Sequence, residues 1–235
     1  MVSDNLCLNF VCLNIRSLWN KFDIFKMWLD SLDYELHIII LTEVWVKQQE
    51  LHRFQLKGYN TVLEENEFNK AGGILMYINN HITFSHSCKT YSTMNMIRCN
   101  LKLSKNYSGI KKERSISVLG IYRFCGSSVL TFLDDLENEI KTLEKNCILT
   151  GDINLDLLDR ENSQCYIDLL HSHGFSENFC KITRPNNKEG TCIDHLFFRN
   201  SLDKNFGMRL SLELLPLSFT DHFCIFLVLL ACPLL

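Results

Sequence analysis

Short runs of apolar residues recur along the chain, and polar or turn-forming residues bound each of them. The runs are LCLNFVCL, HIIIL, GGILMYI, ISVLGIY, CILTG, CIDHLFF and FCIFLVL. They are nearly continuous rather than alternating, which is the pattern of strands covered on both faces. The sequence therefore predicts β-sheets that are buried between other layers.

Helical patterns separate some of these runs but not others. In SLWNKFDIFKMWLDSL, residues 17–32, Phe22, Phe25 and Leu29 form an apolar stripe at helical spacing. Two further helices are predicted at about 128–145 and 163–173. GGILMYI, the region 96–103 and ISVLGIY follow one another without a helix, so antiparallel strands are expected there. The fold class is α/β, a four-layered sandwich of two packed mixed β-sheets flanked by helices.

Composition predicts one domain over residues 1–235. The chain has 46% hydrophobic residues, enough for a large core, and no Gly/Ser-rich or Pro-rich linker. The C-terminal FCIFLVLLACPLL is shorter than the roughly 20 residues of a membrane helix. It predicts a last buried strand with an apolar tail at 229–235, and no membrane association. The N-terminus has no secretory pattern, so an intracellular location is expected.

Charge and cysteine content bear on two kinds of site, a nucleic-acid-binding surface and a zinc site. The net charge of −3 gives no attraction of the whole chain for nucleic acid, so binding would require a local patch. One region fits either such a surface or an ordinary solvated loop, with the basic residues Lys89, Arg98, Lys102, Lys105, Lys111, Lys112 and Arg114. The eleven cysteines form no C-x-x-C pair. The spacing of Cys165, His171, His173 and Cys180 fits no common zinc pattern.

Polar residues stand where the apolar runs begin or end. They are Asn14, Glu43, Tyr122 with Arg123, Asp152 with Asn154, Asp194, and Asp221 with His222. Alone, each has an ordinary interpretation: a strand-end cap, a turn or a surface dipeptide. In layered α/β folds, however, side chains from several strand ends converge on ligands. Hard oxygen ligands suit Mg²⁺ or Mn²⁺, and the whole set indicates metal-assisted phosphoester hydrolysis.

These residues lie in segments that resemble the endonuclease/exonuclease/phosphatase superfamily. Within it, the sequence is most similar to the apurinic-type endonuclease domain of non-LTR (LINE-type) retrotransposons. The resemblance runs from about residue 8 to 228, through the segments LNIRSLWNK, LTEVW, GYN, AGGILMYI, GIYR, LTGDIN, TRP, TCIDHLF and FTDH.

The resemblance implies a deoxyribonuclease-like fold, a DNA substrate, Mg²⁺ (with Mn²⁺ as the alternative ion) and a nuclear location. It implies that Glu43 and Asn14 hold the ion, with Asp221 supporting the ion or the histidine. Asp152 and Asn154 would orient and activate the attacking water. His222, steadied by Asp194, would stabilise charge on phosphorus, and Tyr122 and Arg123 would contact the phosphate. Whether Asp152 or His222 accepts the proton is left open.

Three departures from the family pattern are visible. Thr220 replaces a serine before Asp-His, Phe124-Cys125 replaces a proline pair, and no reverse transcriptase follows residue 230. A truncated or independently used retroelement domain that nicks DNA is the leading hypothesis. The alternatives are another phosphoesterase of the superfamily and an inactive remnant that at most binds nucleic acid.

Overall fold

The structure of the protein is a computed structural model, which describes residues 6–67, 71–103, 114–186, 189–200 and 206–233. The described part contains three α-helices, α1 (Phe22–Asp30), α2 (Val129–Ile140) and α3 (Arg160–Ser172), and a 3₁₀ helix at Gln48–Phe54. Its strands are β1 (Leu6–Asn14), β2 (Ile38–Thr42), β3 (Tyr59–Glu64), β4 (Ile74–Asn79), β5 (Thr83–Thr90), β6 (Met94–Leu103), β7 (Arg114–Arg123), β8 (Cys147–Asp152), β9 (Ser176–Glu177), β10 (Asp194–Arg199), β11 (Phe206–Leu215) and β12 (Cys224–Pro233).

The strands form two six-stranded sheets. The first has the order β11-β12-β1-β2-β4-β3 and the second the order β5-β6-β7-β8-β10-β9. Each sheet contains one parallel pair, β1 with β2 and β7 with β8, and the other pairs are antiparallel. The predicted fold class is therefore confirmed: two mixed sheets pack together and helices cover them.

Side-chain alternation places the main core between the sheets. Phe10 and Cys12 of β1 and Ile40 of β2 face Ile148 of β8 across the interface. On the outer face of the first sheet, Phe25 of α1 is completely buried among the odd-numbered residues of β1 and β2. The same alternation carries Asn14 and Asp152, the last residues of their strands, toward the space between the sheets.

The boundaries of several elements differ from the prediction. The first helix begins at Phe22, the first residue of the predicted apolar stripe, and the preceding Arg16 and Ser17 are excluded from it by positive φ angles of 45° and 80°. GGILMYI, the region 96–103 and ISVLGIY form antiparallel pairs, as expected. GGILMYI pairs with β2 and β3 of the first sheet, however, whereas the region 96–103 pairs with β7 of the second. The tail predicted from residue 229 is part of β12 as far as Pro233. In the described part of the chain, no helix has the length and apolar character needed to cross a membrane.

Candidate active site

Strand pairing brings the polar strand ends to one end of the sandwich. Asn14 ends β1 and Glu43 follows the parallel β2, so both leave the first sheet at the same edge. In the second sheet, Asp152 at the end of β8 pairs with Tyr122 of β7 and with Asp194, the first residue of β10. The start of β12 also reaches this end, because Ile225 pairs with Cys12.

Asn14 connects the two sheets at the site. Its Nδ2 donates to Oε1 of Glu43 over 2.9 Å and to Oδ2 of Asp152 over 2.6 Å. Its Oδ1 accepts from the backbone N–H of Arg16. The fully buried amide therefore bridges two carboxylates. In this orientation its oxygen faces the backbone, so the geometry favours a bridging role over the predicted role as an ion ligand.

Asp152 is a buried carboxylate among other charged groups. Burial, followed by the charge of Asp194, raises the pKa of Asp152 to about 8, against the lowering effects of His222 and Asn14. Its Oδ1 accepts from the backbone N–H of Asn154. That residue has a positive φ of 49° and is partly exposed, at the mouth of the site. Asn154 and Asp152 thus lie together at this end of the sandwich.

Asp194 and His222 form a buried pair. Nδ1 of His222 donates to Oδ2 of Asp194 over 2.8 Å, and each side chain is at most 3% exposed. Burial alone would lower the pKa of His222, but this hydrogen bond and the charges of Asp194 and Asp152 raise it above its ordinary value. The carboxylate fixes the ring, which leaves Nε2 as the nitrogen for chemistry.

Thr183 positions this pair, although sequence reasoning gave it no role. Its Oγ1 accepts from the backbone N–H groups of Ile193 and Asp194, over 3.1 and 3.0 Å. Its carbonyl accepts from Phe223, the residue after His222. A buried threonine in the segment TRP therefore connects the loops that carry Asp194 and His222.

Tyr122 lies beside Glu43 and Gly72 of the first sheet. Burial, together with the neighbouring carboxylates of Glu43 and Asp152, raises the pKa of Tyr122 well above its ordinary value. The phenol therefore stays protonated and acts as a donor at the site. The approach of Tyr122 requires Gly72, where a Cβ would lie 3.1 Å from the tyrosine ring and 2.4 Å from Asn66 Nδ2.

Arg123 is not placed for the predicted contact with phosphate. The residue is 3% exposed, and its guanidinium donates to the carbonyl oxygens of Ile153, Asn154 and Ser127. It also lies over the ring of Phe132. These contacts make Arg123 a support for the loop that follows β8. The prediction is corrected because strand alternation turns Arg123 away from Tyr122 and the site.

Asp221 lies at the surface beside the site rather than in the buried cluster. Its Oδ2 accepts from Arg16 over 2.8 Å and from Arg184 over 3.1 Å. The three side chains are 39–44% exposed. Its carboxylate therefore holds two arginines, which is a different role from the predicted support of an ion. Sequence reasoning missed both arginines.

Backbone strain is concentrated around the site. In the described part of the chain, the non-glycine residues with positive φ are Arg16, Ser17, Glu43, Trp45 and Asn154. All five lie on the segments that leave β1, β2 and β8. Such strained conformations persist where neighbouring contacts hold the backbone in place, and they are typical of ligand sites. Here, backbone hydrogen bonds from Ser17 to Glu43 and from Trp45 to Gly72 hold the segments.

The donor set fits a divalent cation. One ligand atom each from Asp152, Asp194 and His222 lies within 4.8 Å of the others, and Asn14 joins Glu43 to this group. Carboxylate oxygens are the ligands preferred by Mg²⁺ and Mn²⁺. A cation here would also reduce the repulsion between the buried carboxylates that raises the pKa of Asp152. Among the described residues, no second group of this kind was found, including at Cys165, His171, His173 and Cys180.

The predicted basic region is largely used for internal contacts where it is described. Lys89 pairs with Glu139 of α2 over 2.5 Å, and Arg98 donates to Thr142. Lys102 is exposed. Lys105, Lys111 and Lys112 lie outside the described residues. The described members of this region therefore give little support to the interpretation as a nucleic-acid surface.

Comparisons with known proteins agree with this geometry. Residues 13–222 match the endonuclease/exonuclease/phosphatase family. The chain belongs to this family. Members of the family are metal-dependent phosphodiesterases and nucleases, so the chain has the architecture of an enzyme. No curated protein sequence matches it significantly.

Solved structures share the fold at low sequence identity. The catalytic domain of Xenopus laevis APE2 is 17% identical with a TM-score of 0.71, covering 97% of this chain and 93% of that one. D. rerio TDP2 complexed with single-strand DNA product is 12% identical with a TM-score of 0.65, covering 95% and 98%. The endonuclease domain of TRAS1, a telomere-specific non-LTR retrotransposon, is 10% identical with a TM-score of 0.64, covering 95% and 98%. These similarities establish the fold.

Proposed function

We propose that this chain is a Mg²⁺-dependent endonuclease that nicks one strand of DNA and leaves a 3′-hydroxyl. The observation that carries the proposal is the continuous hydrogen-bonded network at one end of the sandwich. It runs from Glu43 through Asn14 to Asp152, beside the Asp194–His222 pair. An eroded remnant would not be expected to keep such a network of buried polar groups satisfied.

The residues support a division of work in phosphodiester hydrolysis. Asp152, which is buried, and Asn154, at the mouth, lie together and orient the attacking water. Nε2 of His222 faces the developing charge on phosphorus, and Asp194 keeps the ring in position and stabilises its positive form. The Tyr122 hydroxyl donates a hydrogen bond at the same end.

Glu43, Asp152 and Asp194 are the residues that would hold Mg²⁺, with Mn²⁺ as the alternative ion. When bound, the ion would supply positive charge against the repulsion between an anionic phosphodiester and its nucleophile. Asn14 keeps Glu43 and Asp152 at a fixed separation by donating to both. This arrangement places the carboxylates before substrate arrives, which is the condition for effective preorganisation.

A plasmid-nicking assay tests the proposal. Purified chain with Mg²⁺ should convert supercoiled plasmid to the open circle, and EDTA should stop the conversion. Asp152→Asn and Asp194→Asn should fold normally and lower the nicking rate by about 100-fold or more, because each removes a carboxyl group at the reacting centre. Asp168→Asn, which changes an exposed carboxylate of α3, is the matched control and should nick at the wild-type rate.

Three outcomes would contradict the proposal. A folded wild type that leaves plasmid intact with Mg²⁺ would favour the inactive remnant. Turnover of small phosphomonoesters without nicking would favour another phosphoesterase of the family. Asp194→Asn with wild-type turnover would remove the assigned role of the Asp194–His222 pair.

The proposal includes use of the nick in retrotransposition. The likeness to the TRAS1 endonuclease domain and the retroelement-like segments support this. A reverse transcriptase would be the partner that extends the 3′-hydroxyl. Nicks made by the chain should therefore be extended by a DNA polymerase without prior phosphatase treatment, and a 3′-phosphate end would oppose this step. A nuclear location follows from the same proposal and is tested by imaging the tagged chain.

A further inference from the structure

The strongest feature outside the buried cluster is the group formed by Arg16, Arg184 and Asp221, called here the arginine clamp. One carboxylate oxygen, Oδ2 of Asp221, accepts from Nη1 of Arg16 and from Nε of Arg184, and Nη2 of Arg184 lies 3.1 Å from it. Two guanidinium groups against one carboxylate leave a formal charge of +1. Each guanidinium has five N–H donors, so the shared oxygen uses only a fraction of them.

The clamp joins three segments of the site. Arg16 lies two residues after Asn14, Arg184 follows Thr183, and Asp221 precedes His222. The Arg16 guanidinium also interacts electrostatically with Glu43. The excess positive charge therefore lies beside the reacting groups and at the surface, where the clamp side chains are 39–44% exposed.

The backbone of Arg16 supports a role in binding. Its φ is 45°, a conformation that costs free energy in a residue with a side chain. The next residue, Ser17, is held in the same region by a backbone hydrogen bond to Glu43. Lys21 adds a nearby cation, because its Nζ donates to the Ile15 carbonyl and interacts electrostatically with Asp221.

We propose that the arginine clamp binds a phosphate of the DNA strand next to the phosphate being cut, and that Asp221 positions both arginines for it. This inference rests on the proposed function for its substrate. Guanidinium groups match phosphate oxygens through paired N–H donors. A chain with net charge −3 needs a local cationic surface for DNA, and the described part of the basic region is largely committed elsewhere.

The clamp is tested by measuring how the binding of a fluorescent DNA duplex depends on salt. The measurement is made in EDTA so that no cleavage occurs. Arg184→Ala and Arg16→Ala should each weaken binding by about tenfold at low salt and reduce the slope of log K against log salt by about 1. Arg160→Ala is the matched control. Arg160 is an exposed arginine of α3 that pairs with Glu177, and its loss should leave the slope unchanged.

Asp221→Ala separates positioning from simple charge. Removing a negative charge near DNA should tighten binding if only net charge matters. If Asp221 positions the arginines, loss of the shared acceptor in Asp221→Ala should instead weaken DNA binding. Asp221→Asn should bind DNA more tightly than Asp221→Ala, because an amide oxygen also accepts hydrogen bonds. If Asp221 were an ion ligand, its variants would raise the Mg²⁺ concentration needed for half-maximal nicking and leave binding in EDTA unchanged, which would overturn the clamp.

The remaining outcomes distinguish the clamp from the proposed function. DNA binding that depends on Arg16 and Arg184, without nicking, would support the clamp and contradict the proposed endonuclease activity. Nicking with wild-type DNA binding in Arg184→Ala would contradict the clamp alone. Absence of salt-dependent DNA binding by the folded wild type would overturn the clamp as well.

Discussion

At the scale of single residues, Thr183 decides where Asp194 lies. Its hydroxyl oxygen accepts from two buried backbone N–H groups, those of Ile193 and Asp194. Thr183→Val keeps the shape but removes the acceptor, which leaves both donors without a partner. We expect a loss of about 2–4 kcal/mol in the free energy of unfolding, measured by urea denaturation. The nicking rate should fall by more than the smaller fraction of folded protein accounts for, because the Asp194–His222 pair changes position.

Thr183→Ser is the control for this substitution. Serine keeps the acceptor oxygen, so stability and nicking should both stay near the wild type. A Thr183→Val protein with unchanged stability would show that the two N–H groups have other partners. Equal losses of nicking in the valine and serine variants would show that the methyl group matters instead.

The sequence predicted some site residues better than others, and the reason is local. Asn14, Asp152 and Asp194 interrupt or end apolar runs, so their polarity stands out against the pattern. Thr183 and Arg184 lie in a loop where polar residues are ordinary, and only the fold brings them to His222. Arg123 shows the opposite error. Its sequence position beside Tyr122 suggested the site, but alternation along β7 directs it to the loop after β8.

At the scale of elements, the close pairing of β7 and β8 depends on Gly151. Its φ is 145°, and a Cβ there would lie 1.8 Å from the carbonyl oxygen of Ile121, an atom of the partner strand. Backbone cannot rotate away as a side chain can. Gly151→Ala should therefore lower the free energy of unfolding by about 3 kcal/mol or more, as measured by urea denaturation. The adjoining Asp152 would be displaced, and nicking should be lost.

Gly126→Ala is the matched control for Gly151→Ala. Gly126 also has a positive φ, 76°, but apart from its chain neighbours no atom lies within 4 Å of the position that a Cβ would take. The Gly126→Ala protein should lose only the free energy that the positive φ costs an alanine, about 1 kcal/mol. If the two substitutions lower the free energy of unfolding equally, the effect at Gly151 comes from its φ alone. That result would contradict the role given to the close approach of β7 and β8.

Element prediction succeeded for buried strands and failed for strands with an exposed face. β2, β4 and β8 are buried at every residue, so their apolar runs mark them directly. β5 is the polar segment TFSHSCKT at the edge of its sheet and has no such run. β11 alternates between exposed and partly buried residues over 209–214, a pattern that a search for continuous runs does not detect.

At the scale of the whole molecule, the division of the strands between two sheets could not be predicted from local pattern. Residues 80–82 connect β4 in the first sheet to β5 in the second, although both strands follow each other closely in sequence. The assignment is decided by packing of distant strands, such as β1 against β12 and β2. The active site depends on this division, because Asn14 and Asp152 come from different sheets and meet through a 2.6 Å hydrogen bond.

An ion bound between the sheets should therefore stabilise the whole fold. Mg²⁺ at ten times its dissociation constant should add about 1.4 kcal/mol to the free energy of unfolding, since it binds only the folded arrangement of Glu43, Asp152 and Asp194. For a chain of this size the midpoint of thermal unfolding should rise by about 3–6 °C. Glu43→Gln and Asp152→Asn should lose most of this rise, whereas Asp168→Asn should keep it. NaCl at matched ionic strength separates ion binding from screening. A rise that NaCl reproduces, or that persists in both site variants, would place the stabilising ion elsewhere.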